Sequence, residues 1–273
     1  MTAPFRLVAT DLDGTLLRSD LTVSPRSRRA LAAAGTRGVR HLVVTGRQVA
    51  ACRRLLAGLG YHGLLVCSQG AQLYDLTLDR PVWSATLDRS VARDVAARVG
   101  AEAGPISVGV ATAGAHGRIL VSRGFYSKPG ADCEPVEPAR LWAEPIEKMF
   151  LRHRMLSAHD LTQLVSRLYG DAVTATYSHH DVVEILPAGV TKGHGLTLAA
   201  DLLGFSPSGT VAFGDMPNDI SMLQWAGHGV AMRNGDERLL AVADEIAPGN
   251  DDDGVAVVLE RMYASRPRRR GAK

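Results

Sequence analysis

Two short acidic strings are the first candidates for chemistry: Asp11-Leu12-Asp13-Gly14-Thr15 near the beginning of the chain and Gly214-Asp215-Met216-Pro217-Asn218-Asp219 near its end. Each follows an apolar run. Alternate residues of an extended backbone point the same way, so Asp11 and Asp13 face one small volume while Leu12 points into the protein. Two like charges that close destabilise each other unless a cation sits between them or one keeps a proton. A divalent ion would answer that demand, with Asp11 as ligand and potential nucleophile and Asp13 handling protons. A surface turn rich in Asp and Gly is the plainer alternative. If the second string joins the first, four carboxylates share one crevice, and oxygen donors of this kind suit Mg²⁺. No paired Cys or His ligands stand nearby, which argues against zinc.

Two weaker signals accompany the acids. Thr45, in Val43-Val44-Thr45-Gly46-Arg47, puts a hydroxyl between a strand and a helix start, a fair phosphate contact and also ordinary turn chemistry. Lys192, in Gly189-Val190-Thr191-Lys192-Gly193, is one of few lysines and sits at a helix start. The helix dipole favours a cation at the opposite end, so an anionic site nearby would compensate. An exposed lysine that happens to fall there is the competing explanation.

The elements that must position these residues follow a rhythm. Leu7–Thr10, His41–Val44 and Leu64–Cys67 are strand-like, and the first two are followed by helical stretches, one opened by Ser24-Pro25 and stopped by Gly35, the other running from Gln48 to Leu59. Alternating strands and helices argue for a parallel sheet covered on both faces. Ligands of such sheets collect beyond the carboxyl ends of the strands, where Asp11, Thr45 and Asp215 fall. From about Pro81 the rhythm changes. A helix with Val91, Val95 and Val99 on one face, strands near 106–111, 118–121, 173–177 and 182–186, and a helix carrying Leu161, Leu164, Val165 and Leu168 suggest an inserted α+β unit. After Pro187-Ala188-Gly189 the first rhythm returns. The expected division is a core of residues 1–80 and 188–273 and an inserted domain of residues 81–187.

The bulk numbers set limits. The chain has 273 residues, 46% of them hydrophobic, and a formal net charge of +3. That is enough apolar material for a large core, without a run that could span a bilayer. The three cysteines, Cys52, Cys67 and Cys133, fit neither a disulfide framework nor a thiolate metal site, and with no secretion signal legible a cytoplasmic location is expected. Much of the basic excess lies in Arg266-Pro267-Arg268-Arg269-Arg270-Gly271-Ala272-Lys273. A solvated terminus explains that run more simply than nucleic acid or membrane, and neither partner is expected. The His179-His180 pair reads as a polar turn.

In their order and context, Asp11-Leu12-Asp13-Gly14-Thr15, Thr45-Gly46-Arg47, Lys192 and Gly214-Asp215 with Asn218 and Asp219 resemble the four motifs of the haloacid-dehalogenase superfamily, and the insertion is similar to the cap of its Cof-type branch, subclass IIB. The resemblance implies a Rossmann-like core and hydrolysis of a small phosphorylated metabolite. It implies Asp11 as nucleophile and Asp13 as acid and base, with Thr45, Gly46, Arg47, Lys192 and Asn218 around the phosphate. It also implies Mg²⁺ held by Asp11, the Asp13 carbonyl and Asp215, with Asp219 behind them. Two positions depart from the pattern: Met216 stands where Asn or Gly is usual, and Gln69 where Ser68-Gln69-Gly70-Ala71 would carry Asn. A phosphosugar mutase of the same superfamily and a non-catalytic binder of phosphometabolites are the alternatives. The oligomeric state is not legible.

Overall fold

The structure is a computed structural model that describes residues 4–57, 59–125 and 132–263. The basic run from Arg266 lies outside the described residues. In chain order the first part contains β1 (Leu7–Thr10), α1 (Pro25–Gly35), β2 (Arg40–Val44), α2 (Val49–Ala57), β3 (Leu64–Cys67), β4 (Gln72–Asp75) and β5 (Arg80–Ser84). The middle contains α3 (Arg89–Ala103), β6 (Ile106–Thr112), β7 (Ile119–Ser122), β8 (Cys133–Val136), β9 (Ile146–His153), α4 (Ala158–Tyr169), β10 (Val173–His179) and β11 (Val182–Pro187). The last part contains α5 (Lys192–Leu203), β12 (Thr210–Gly214), α6 (Ile220–Trp225), β13 (His228–Met232), α7 (Glu237–Leu240), β14 (Glu245–Ala247) and α8 (Gly254–Met262).

The first and last parts share one sheet in the order β14-β13-β12-β1-β2-β3-β4-β5. The strands from β14 to β3 run parallel, and β4 and β5 extend the β3 edge as an antiparallel hairpin. Both faces of the parallel part are buried, as continuous apolar strands demand. Val8, Val43, Val211 and Val230 pack with α1, α2 and α8, while Leu7, Ala9, Leu42 and Ala212 pack with α5 and α6. Local chemistry sets the helix starts. The Ser24 side chain accepts from the Ser27 amide ahead of Pro25, and the Thr191 hydroxyl accepts from the His194 amide at 3.1 Å; such caps satisfy amides that a helix's first turn leaves open.

The middle part builds its own sheet, ordered β10-β11-β9-β6-β7-β8. The helices α3 and α4 cover one face, their Val95, Val99, Leu161 and Val165 meeting Met149, Leu151, Val183 and Ile185 of the sheet. Strand alternation then turns Lys148, Phe150, Arg152, Val182 and Glu184 to the other face. A small cluster of Ala71, Leu186 and Val190, with Trp83 and Ala85 against it, packs where the chain crosses between the sheets. The division expected at residue 81 falls inside β5, which pairs with β4 and so belongs to the first sheet. The capped helix expected from Asp160 begins at Ala158, because Ser157 accepts from the Asp160 amide. Four strands not anticipated from the sequence, β4, β5, β8 and β9, complete the two sheets.

Candidate active site

The carboxyl ends of β1, β2 and β12 carry three of the singled-out groups to one place. Asp11 continues β1, its amide donating to the Phe213 carbonyl at 3.0 Å, so that the end of β1 is fixed beside that of β12. Lys192, the first residue of α5, is buried to 1% exposure and its Nζ lies 2.8 Å from Asp11 Oδ1 and 2.7 Å from Asp219 Oδ1. A lysine at a helix start is stable here because two carboxylates surround it; burial lowers its affinity for the proton, yet Asp11 and Asp219 more than reverse that and raise it. Asp219 in turn accepts the Asp215 and Met216 amides on Oδ2, each at 3.0 Å. Both its oxygens are therefore committed.

Asp215 receives the Thr15 hydroxyl on Oδ1 at 2.7 Å. Gly14, with φ of 73°, lets the first string turn this close: a Cβ there would lie 2.2 Å from Asp215 Oδ2. Asp11, Asp215 and Asp219 each offer an oxygen within 4.8 Å of the others. Three buried carboxylates against one ammonium leave an excess of negative charge. Burial, opposed by Lys192 and reinforced by Asp219 and Asp13, pushes the Asp11 carboxyl up to about 7, and burial together with Asp11 and Asp219 pushes Asp215 well above the carboxylate range. Protons or a cation must answer that excess, and an all-oxygen donor set fits a hard divalent ion. Asp11 and Asp215 have oxygens to give it; Asp219 fixes Lys192 and the backbone that follows β12.

Asp13 stands apart from this cluster. Its carboxylate accepts both Nε and Nη2 of Arg47, at 2.6 and 2.5 Å, in a two-pronged pair at the rim. Arg47 is thus held by Asp13 in this arrangement. Thr45 is fully buried and its hydroxyl accepts the Arg47 amide at 3.2 Å. Gly46 and Arg47 line the adjoining cavity, of about 420 Å³, together with Asp11, Asp13, Lys192 and Asn218, whereas Thr45 does not reach its wall. Asn218 donates Nδ2 to Gln69 Oε1 at 2.9 Å, and its Oδ1 is buried with no hydrogen-bond partner. His179 lines the cavity; His180 does not, and its carbonyl accepts from Ala158 at the start of α4.

Across the cavity a second charged cluster emerges that the sequence reading missed. Lys148 on β9 and Glu184 on β11, 4% and 3% exposed, form a buried ion pair of 2.5 Å. Lys148 Nζ also donates to the Gly46 carbonyl at 2.7 Å, and Glu184 Oε1 accepts from Gln69 Nε2 at 2.9 Å and Ser178 Oγ at 2.7 Å. Burial alone would raise Glu184, but the Lys148 charge and these hydrogen bonds outweigh it and hold the carboxyl below its ordinary value. Beside it the Ser68 hydroxyl donates to Glu147 Oε2 at 2.6 Å. Ser68 and Gln69 reach these partners from left-handed backbone, with φ of 50° and 61°, a strain of the kind that concentrates at functional sites. Gln69 spans from Asn218 to Glu184 with both ends of its amide occupied, so the extra methylene relative to Asn serves a bridge between the sheets. Met216, the other departure, lines the cavity and packs on the apolar cluster of the second sheet. The legible signal for the pair was Glu147-Lys148 inside the otherwise apolar run Ile146–Leu151.

These features define a class of protein: an α/β hydrolase with an acid and lysine crevice at its strand ends and an inserted unit facing it. The chain belongs to the haloacid dehalogenase-like hydrolases, whose family model matches residues 8–259. Among its relatives, the pyridoxal phosphate phosphatase YbhA of Escherichia coli is 30% identical over 92% of this chain and 96% of its own. The chloroplastic endoribonuclease YBEY of Arabidopsis thaliana is also 30% identical, over 94% of this chain, which spans 46% of that protein. Of solved structures, one from Streptococcus mutans superposes with a TM-score of 0.85 at 21% identity, covering 96% of this chain and 100% of that one. A subclass IIB sugar phosphatase of the superfamily superposes at 0.78 with 20% identity, over 94% and 98%. The Cof-type, subclass IIB architecture expected from the inserted unit is the one this likeness supports. No helix among the described residues is long and apolar enough to cross a membrane.

Proposed function

We propose that this protein is a Mg²⁺-dependent phosphatase that hydrolyses a small phosphomonoester through an aspartyl-phosphate on Asp11. The observation that carries the reading is Lys192, buried between Asp11 and Asp219 and so fixed at the carboxylate that would attack. Asp11 and Asp215, with the Asp13 carbonyl, would hold Mg²⁺; when bound, the ion neutralises the carboxylates and the oxygens of the transferring group. Lys192 keeps Asp11 ionised and oriented and meets the charge that spreads over the phosphoryl oxygens. Asp13 gives a proton to the leaving oxygen and then takes one from the water that releases phosphate, which requires Arg47 to loosen its grip and turn to the substrate. Splitting the displacement through a covalent intermediate divides one hard step into two easier ones. Thr45, Gly46 and Asn218 complete the phosphate site, the buried Asn218 Oδ1 being left for a donor from the substrate or a water.

The relatives support small phosphorylated metabolites as the substrate class: YbhA is named for pyridoxal phosphate, and a Bacillus subtilis relative, 25% identical, for 5-amino-6-(5-phospho-D-ribitylamino)uracil. The inserted domain, residues 81–187 by the sequence and from just beyond β5 by the sheets, acts as a cap over the core. Three free cysteines support a cytoplasmic setting. The test is phosphate release from a panel of such esters with and without Mg²⁺. Wild type should turn over at least one ester only with the ion, and Asp11→Asn should stay folded and lose turnover by a factor of about 10⁴ or more. Wild-type-like turnover in Asp11→Asn would reject the assignment.

A further inference from the structure

The cavity wall facing the acids is built as an alternation of cations and aromatic rings. From β9 come Lys148, Phe150 and Arg152, spaced two residues apart on one face, and Phe125 stands against Arg152 with its ring centre 5.1 Å from the guanidinium carbon. Lys148 Nζ lies 5.0 Å from the centre of the Phe150 ring. At about 3.3 Å per strand residue, Phe150 is about 7 Å and Arg152 about 13 Å along the wall from Lys148, which touches the Gly46 carbonyl at the phosphate end. The ladder therefore leads from the acids to the mouth.

What this wall offers a leaving group is uneven. Acceptors for sugar hydroxyls are already engaged: Glu184 takes Lys148, Gln69 and Ser178, Asp13 takes Arg47, and Asp132 at the mouth faces Arg54 at 3.8 Å. The remaining wall is ring and aliphatic surface from Phe150, Phe125, Ile119 and Val182. Arg152 pairs with Asp181 at 3.2 Å, but the Asp181 side chain is 56% exposed, and a pair of that kind exchanges readily for a ligand carboxylate or carbonyl. Its guanidinium plane over Phe125 makes a flat, positively charged shelf.

Resting on the phosphatase reading above, we propose that Phe150 and Arg152 select the leaving group, and that the preferred substrates are phosphomonoesters of a planar, unsaturated ring bearing anionic or acceptor oxygens rather than of a polyol. Phe150 stacks the ring, and Arg152 meets the oxygens at its far side. Lys148, neutralised by Glu184, sets the depth.

Steady-state kinetics on pyridoxal 5′-phosphate and flavin mononucleotide against glucose 6-phosphate and glycerol 2-phosphate, all with Mg²⁺, tests this. Wild type should favour at least one ring ester by tenfold or more in kcat/KM. Phe150→Leu and Arg152→Gln should each cut that ratio about tenfold, mainly through KM, while Arg152→Lys restores part of it. Equal losses on ring and polyol esters, or a wild type that prefers glucose 6-phosphate, would overturn the proposal while leaving the phosphatase reading intact. If no ester turns over, that reading fails on its own terms. Calorimetric titration of Asp11→Asn with pyridoxal 5′-phosphate and glycerol 2-phosphate then still decides the selection: tighter binding of the ring ester, lost in Asp11→Asn/Phe150→Leu, supports it, and equal binding refutes it.

Discussion

At the residue scale, the arrangement around Lys192 balances charge only with a further cation or with protons. Burial holds the Asp11 carboxyl at about 7 in the metal-free chain, against an ordinary value of 3.8. Between those values the folded chain keeps a proton that the unfolded chain has released, so this residue's contribution to stability is full below about pH 4 and is lost as pH rises through about 7. Mg²⁺ needs the carboxylate and must displace that proton at low pH. Saturating Mg²⁺, which at a hundred times its dissociation constant adds about 2.7 kcal/mol, should therefore raise the melting temperature more at pH 8 than at pH 5. Scanning calorimetry at the two pH values checks this; the same shift at both would mean that Asp11 is not a ligand. Asp215→Asn should shrink the shift at pH 8. Most of this cluster was legible in the sequence because each member sits at the end of a strand or the start of a helix, where position and type together restrict the role. The partner of Asp13 was not legible, since an Arg two residues beyond Thr45 reads equally well as a substrate contact.

At the level of elements, β9 shows where pattern reading ran out. Ile146-Glu147-Lys148-Met149-Phe150-Leu151 mixes two charges into an apolar run directly after Pro145, and neither the alternation of a surface strand nor the continuity of a buried one fits. The strand forms because its charges are buried against partners from distant segments: Glu147 against Ser68, Lys148 against Glu184 and Gly46. No local rule contains those pairings. Their energetic consequence is specific. Removing one member of a buried pair strands the other charge and costs about 3–5 kcal/mol, whereas replacing both with uncharged residues of similar volume is often near neutral. Lys148→Met should lower the urea midpoint sharply, and Lys148→Met/Glu184→Gln should recover most of the loss because Ser178 and Gln69 still engage the amide. Additive losses in the double-mutant cycle would show that the two side chains act independently. The antiparallel hairpin β4–β5 escaped notice for a different reason: it sits between two elements that already satisfied the strand and helix rhythm.

At the scale of the whole molecule, two sheets with separate apolar cores meet over the site largely through polar bridges. Gln48 reaches the Thr112 carbonyl at 3.1 Å, Gln69 reaches Glu184, Ser68 reaches Glu147, and Arg238 reaches the Tyr177 hydroxyl at 2.5 Å. Met216 is an apolar exception. An interface of this composition favours relative motion of the parts it joins, since each bridge can be exchanged for water. The crossings packed around Trp83, Leu186 and Val190 are the natural hinge. If product leaves by cap opening, the step that limits turnover of a ring-bearing ester is a motion through solvent. Its kcat should fall in proportion to relative viscosity as sucrose is added, while turnover of a minimal ester such as acetyl phosphate, limited by chemistry, should not. Ser68→Ala removes one bridge without touching the acids, so it should raise the opening rate and weaken the sucrose effect. A kcat independent of viscosity for both esters would mean that the two sheets stay together through the cycle, and that substrate enters through the mouth beside Arg152.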